Sequence, residues 1–257
     1  MPNELVDGDF QIWQRGKSFT ITGDEAFHYT ADMWCVYAST GQTVKVNKTN
    51  DGLIFSGTSA IMQRMLPLKV GQKYIFLAKV DDDVKTLQIT GGTYTENSFL
   101  KYNKTGSYEQ LQIKSNGNTK VGCARLWKGT TVYPIIKEDY ATALMRCCDI
   151  VQVIKYHNWG QIPFTHDQQN AYLKVPLKFP FDMNGATFHQ NMNGLEVVGH
   201  PDVKIKSVSV QTAAGENSML EFYIQLTSGT INGKATGGEA FSTKDNHVVI
   251  EISKEPL

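Results

Sequence analysis

YIFLAKVDDDVKTLQITGG, residues 74–92, decides the fold class. In an extended chain Tyr74, Phe76, Ala78 and Val80 fall on one face, and Leu87 and Ile89 do the same in the following run. Asp81-Asp82-Asp83 separates the runs and Gly91-Gly92 ends the second, so the stretch reads as two antiparallel strands joined by a turn. Outward from it the alternation recurs at Leu111 and Ile113, and again at Val121, Cys123 and Trp127, with Asn116-Gly117-Asn118 as punctuation. The pattern holds from Thr43 to Trp127, broken every ~8–12 residues by Gly, Asn or Asp. A sheet with one apolar face needs a second sheet to cover it, which predicts a two-sheet sandwich.

The period changes between Glu138 and Tyr156. Tyr140, Leu144, Cys147, Val151 and Ile154 follow at steps of four, three, four and three, one stripe of a helix. Pro134 and the acidic pair Glu138-Asp139 stand at its start, where carboxylates complement the helix dipole. A loop with Trp159-Gly160 and Pro163 is expected next. Alternation returns at Tyr172 to Phe181, at Val203 to Val210, at Leu220, Phe222, Ile224 and Leu226, and at Val248, Ile250 and Ile252. The phase slips between Ile205 and Val208, as a β-bulge makes it. The expected architecture is mainly β: a β-sandwich over residues 1–137, a connecting helix and loop over 138–160, and a smaller C-terminal β domain of four or five strands over 161–257.

Composition narrows the chemistry. The chain has 257 residues, 25 basic and 25 acidic side chains, and 19% charged residues, against roughly 25% in ordinary globular chains. A net charge of zero provides no field for nucleic acid or anionic lipid. Met1 to Asp9 has no apolar run, so no signal peptide is expected, and no stretch reaches the ~18 apolar residues of a membrane span. The four cysteines, with Cys147 and Cys148 adjacent, read as free thiols. Gly229 to Ala235 falls short of a phosphate loop by one residue and one hydroxyl, and Asn232-Gly233 reads as a hairpin turn. His157, His166, His189 and His200 are too widely spaced to converge on a metal, and Asp81-Asp82-Asp83 is a solvated turn rather than a calcium loop. The expectation is a non-enzymatic binding or assembly protein, with no catalytic residue, metal or cofactor.

Three stretches carry a family likeness. Asn3-Glu4-Leu5, Gly8-Asp9-Phe10-Gln11-Ile12-Trp13-Gln14-Arg15-Gly16 and Tyr29-Thr30-Ala31-Asp32-Met33-Trp34 resemble the opening of a large group of bacteriophage tail-fibre and minor virion structural proteins, with its NGDFxxWQRG and YTADRW motifs. Val121 to Gly129 resembles the last strand of that group's jelly roll, which is similar to carbohydrate-binding modules. Tyr140 to Cys148 resembles its helix of the ATELALCQRYY type. The likeness covers about residues 3–156 and implies that the β-sandwich over residues 1–137 is a jelly roll. The chain departs from it at Met33 for Arg, Trp127 for Glu and Cys148-Asp149 for Gln-Arg.

The resemblance implies a virion component, folded in the host cytoplasm and then assembled with itself, as a homo-oligomer and most often a trimer, and with other virion proteins. The C-terminal β region from about Gln161 to Leu257 is expected to supply oligomer contacts. Neither nucleic acid nor membrane insertion is expected. Asp9, Trp13, Arg15, Asp32 and Trp34 read as structural: core aromatics, and an ion pair of Arg15 with Asp9 or Asp32 that fixes the N-terminal segment. Gly8 and Gly16 read as turn glycines. A host cell-surface glycan is the candidate ligand, with Tyr94, Tyr102 and Trp159 stacking on pyranose faces. The alternative is a glycan-binding or glycan-depolymerising receptor-binding protein.

Overall fold

The computed structural model describes residues 3–23, 27–57, 59–65, 67–105, 108–115 and 117–156, and beyond them 161–166, 170–177, 181, 186–191, 195–197, 205–211, 219–226, 240–243 and 248–253. The chain divides into two units, Met1–Cys147 and Cys148–Lys254.

The described part of the first unit holds β1 (Ser18–Thr22), β2 (Phe27–Tyr29), β3 (Trp34–Tyr37), β4 (Thr43–Thr49), β5 (Gly52–Gly57), β6 (Ala60–Met65), β7 (Lys73–Val80), β8 (Asp83–Thr90), β9 (Thr95–Glu96), β10 (Leu100–Thr105), β11 (Tyr108–Lys114) and β12 (Gly117–Lys128). They form two six-stranded antiparallel sheets, ordered β1-β4-β5-β12-β7-β8 and β2-β3-β6-β11-β10-β9. β5 pairs with β12 in one sheet and β6 with β11 in the other. The successive strands β5 and β6 therefore find their partners in reverse order on opposite sheets, as in the winding of a jelly roll. The β7–β8 and β10–β11 pairs close as local hairpins.

Local chemistry explains these elements. Asp81 and Asp82 connect β7 to β8 with φ of 49° and 69°. Two left-handed residues in a two-residue loop make a turn whose twist matches the flanking strands, and Asp tolerates that region. Along the strands Val44, Val46, Leu53, Phe55, Phe76, Leu87, Ile89, Leu111 and Ile113 are buried, each large side chain contributing about 1.5–3 kcal/mol. β7 is apolar on both faces because Ile75 and Leu77 bury a second cluster with Trp127, against which Tyr133 packs. Trp127 and Tyr133 meet edge to face at 5.7 Å.

The helix is shorter than the stripe predicted. α1 spans Tyr140–Cys148, and Val151–Tyr156 forms strand β13, paired with β21 (Val248–Ser253). Val151, Val153 and Ile154 are buried on that strand, where β-branched side chains fit better than in a helix. Ala143 and Cys147 bury with Ile12, and Val6 and Leu144 pack around them, whereas Tyr140 is exposed. Asp139 caps the helix: its carboxylate accepts from the Ala141 and Thr142 amides and from the Thr142 hydroxyl, which holds its carboxyl below the usual range.

The second unit's described strands are β13, β14 (Gln161–His166), β15 (Asn170–Pro176), β16 (Thr187–Asn191), β17 (Leu195–Val197), β18 (Ile205–Gln211), β19 (Met219–Leu226), β20 (Ala240–Thr243) and β21. They make a three-stranded sheet, β13-β21-β16, and a six-stranded one, β17-β20-β14-β15-β19-β18. The expected bulge appears as a register shift between Ile205 and Ser207. Pro163, expected in a loop, lies on β14 opposite Ala240, and nine described strands replace the expected four or five, because short strands such as β17 and β20 carry little periodic signal. Val175, Phe222, Ile224, Ile250 and Ile252 are buried. Trp159 and the Asn232-Gly233 turn lie outside the described residues.

Candidate functional site

The sequence motifs meet along one edge of β12. β5 pairs with that edge from Gly117 to Val121, and a register shift between Val121 and Cys123 marks a bulge in the β7 pairing. Beyond it the N-terminal segment replaces β5. The Glu4 amide donates to the Leu126 carbonyl at 3.0 Å, and the Ala124 amide to the Gly8 carbonyl at 2.6 Å. Between them the Asn3 side chain acts as a stretch of strand: its Oδ1 accepts from the Leu126 amide at 2.8 Å and its Nδ2 donates to the Ala124 carbonyl at 3.2 Å. A Cβ on Gly8 would lie 2.4 Å from both the Ala124 oxygen and Asn3 Nδ2, so close approach, rather than a turn, demands glycine there. From the other sheet Gln63 on β6 binds both backbone groups of Val6, at 3.1 and 2.7 Å. The segment thus bridges the two sheets.

A tight turn follows, with Asp7 at φ 46° and Phe10 at φ 52°. The buried Asp7 carboxylate accepts from the amides of Gln11 and Ile12 at 2.7 and 3.1 Å, and the Trp34 indole donates to the Asp7 carbonyl at 3.1 Å. Burial pushes the Asp7 carboxyl well above its usual range, with smaller upward contributions from Asp32 and Asp9, while the two amides pull against it. Lys48 donates to the Gln11 carbonyl at 2.7 Å, and burial draws its ammonium down. Phe10 packs on Trp34 with ring centroids 4.7 Å apart, and the Trp13 indole donates to the Phe10 carbonyl at 2.6 Å.

Of the two partners open to Arg15, the structure selects Asp32, at 3.7 Å. Asp32 also accepts from the Gln14 amide and side chain at 3.2 and 2.6 Å. Asp9 belongs instead to Arg125 of β12, 2.6 Å away with both side chains buried. The second Asp9 oxygen accepts from the Glu138 amide at 2.9 Å, and Arg125 donates on to the Ile136 carbonyl at 2.9 Å. α1 joins through Arg146, which pairs with Glu138 at 2.9 Å and donates to the carbonyls of Asn3 and Leu5. Asn3 and Arg125 were part of the quoted motifs, but nothing local in the sequence pairs Arg125 with Asp9 across 116 positions.

Tyr94 is 52% exposed, with Lys101 Nζ 5.5 Å from its ring centroid. Its phenol bonds Glu96, which raises the Tyr94 pKa and lowers that of Glu96. Tyr102 offers no stacking face. Its position on β10, opposite Leu111 and Thr95, turns the ring inward to 0% exposure, its hydroxyl accepts from the Gly92 amide at 2.7 Å, and burial pushes its pKa up to about 12. Trp159 is outside the described residues. Among the described residues no group of three or more His, Cys, Asp or Glu side chains is placed to hold a metal, and no helix is long and apolar enough to cross a membrane.

No protein-family model, no curated protein and no solved structure matches this chain.

Proposed function

We propose that this chain is a non-enzymatic structural component of a bacteriophage particle, a tail-fibre, baseplate or head-fibre subunit acting in host attachment or particle assembly. The observation that carries this reading is convergence. The stretches that resemble the phage group stand far apart in the sequence, yet their polar groups contact one another at a single joint: Asn3 and Gly8 with the backbone of Ala124 and Leu126, Asp9 with Arg125, and the Leu5 carbonyl with Arg146, while Trp34 donates to the carbonyl of Asp7, between the first two stretches. A motif whose members hold one another reads as a folding signature, and this supports placing the chain with the group whose motif it shares.

The test is location. Antibody raised against the purified chain should label one fixed position on intact particles in electron microscopy, and light scattering at micromolar concentration should give a homo-oligomer, with a trimer expected. Absence of the chain from purified particles would overturn the reading. The open ring of Tyr94 favours a second reading, a receptor-binding subunit that holds or cuts a host glycan. Incubation with host envelope polysaccharide separates the two, because new reducing ends in proportion to protein would establish cutting.

A further inference from the structure

A cleft of about 250 Å³ opens beside the β12 bulge, lined by Asp9, Asp51, Lys79, Asp82, Lys120 and Gly122, with the strap beyond β12 as its far wall. Five parts of the chain build it: the N-terminal segment from Asn3 to Asp9 that brackets the edge of β12 (the bracket), the β4–β5 turn, the β7–β8 hairpin, β12, and the extended strap after β12. The strap forms one wall through Ile135 and Lys137, while its Tyr133, Pro134 and Ile136 line a separate small cavity with Trp127 and Arg125. Gly122, beside the bulge, keeps side-chain atoms out of the cleft, since a Cβ there would lie 3.2 Å from Lys79 Cδ. Bulges commonly stand next to ligand sites, where they re-aim neighbouring side chains.

The charges are arranged as well as gathered. Asp9 is occupied by Arg125 and the Glu138 amide. Asp82 is bridged by Lys79 at 3.3 Å and Lys120 at 3.4 Å, and the Lys120 amide donates to Asp81 at 2.8 Å, which ties the hairpin to β12. The cleft is therefore lined by three lysines, Lys79, Lys120 and Lys137, and two carboxylates, Asp51 and Asp82, of which Asp82 is shared by Lys79 and Lys120 at the surface. Ammonium groups favour one carboxylate on a ligand, and the two aspartates accept hydrogen bonds from hydroxyls. Those same aspartates oppose a dianion such as phosphate. The volume suits one sugar ring.

We propose that this cleft binds the carboxylate-bearing pyranose of an acidic glycan, a uronic acid unit, with the lysines on the carboxylate and Asp51 and Asp82 on ring hydroxyls. The proposal adds a ligand class to the attachment role and rests on that role for its biological setting. A polar, partly open site of this size binds weakly, at ~mM or ~4 kcal/mol per copy, so useful affinity comes from several copies on one cell surface.

The experiment is ligand-observed NMR and calorimetry on the full chain, with galacturonate and glucuronate as probes and with methyl galactoside, methyl glucoside and inorganic phosphate as comparators. Uronates should bind about tenfold more tightly than the neutral glycosides, and added salt should weaken them. Lys120→Gln and Lys137→Gln should each lower uronate affinity about fivefold with unchanged melting. Tyr94→Ala should leave it unaltered. Uronates no tighter than neutral sugars, phosphate as tight as uronate, or lysine variants that bind like the parent would each overturn the site. Loss of all sugar binding in Tyr94→Ala would move the glycan site elsewhere while leaving attachment intact. Particle labelling reads the structural role independently of all these outcomes.

Discussion

One strand, β12, meets two different partners along the same edge. From Gly117 to Val121 it is paired by β5 through a regular backbone ladder. From Ala124 to Leu126 it is paired by the bracket, in which the Asn3 amide, the Gly8 carbonyl and the Glu4 amide replace a strand. A ladder uses groups that nearly every residue carries, so it tolerates substitution. The bracket uses particular side chains and one absent Cβ, and is therefore specific. The comparison shows why the motif residues cluster at one joint: that is where backbone pairing is replaced by side-chain chemistry.

Mutation of the bracket half should accordingly cost far more than mutation of the ladder half. Arg125→Met strands Asp9 in a buried site and should destabilise by about 3–5 kcal/mol in urea melts; a double variant with Asp9→Asn should recover part of the loss. Gly8→Ala forces a Cβ against backbone and should cost about 2–3 kcal/mol. Asn3→Ala leaves the Leu126 amide without its acceptor, while the Ala124 carbonyl keeps the Arg125 guanidinium at 2.8 Å, and should cost about 1–2 kcal/mol. If these three melted like the parent, the bracket would be an ornament on a sandwich stable without it.

Asp7 sharpens the comparison through pH. Its folded-state pKa lies above the unfolded value, so the folded chain binds the proton more readily. Its contribution is fully present below the unfolded pKa, near 3.8, and is lost as pH rises through the folded value. Stability should fall with rising pH in that window by at most about 1.4 kcal/mol per pH unit, and Asp7→Asn should flatten the slope in urea melts run at several pH values. Asn118→Thr, at an exposed position of the ladder half, should change stability by less than about 0.5 kcal/mol. A larger effect there would show that the ladder is as residue-specific as the bracket.

The sequence by itself determined what local periodicity and local turn chemistry control. The alternation in Tyr74 to Ile89, the Asp81-Asp82 turn, the slip after Ile205 and the amphipathic start of α1 are all set by residues within a few positions of one another, and they were legible together with the mainly β class. The tertiary structure alone decided what depends on distant partners. The β21 strand made Val151 to Tyr156 a strand rather than the continuation of a helix. The neighbours of β10 turned Tyr102 inward and left Tyr94 at the surface. The bracket's course along β12 paired Asp9 with Arg125 and left Asp32 to Arg15, and it brought five segments around the cleft beside Gly122. Pattern reports which residues want burial or a turn, but which residue faces which is fixed only when strands far apart in the chain take their register and exclude water between them.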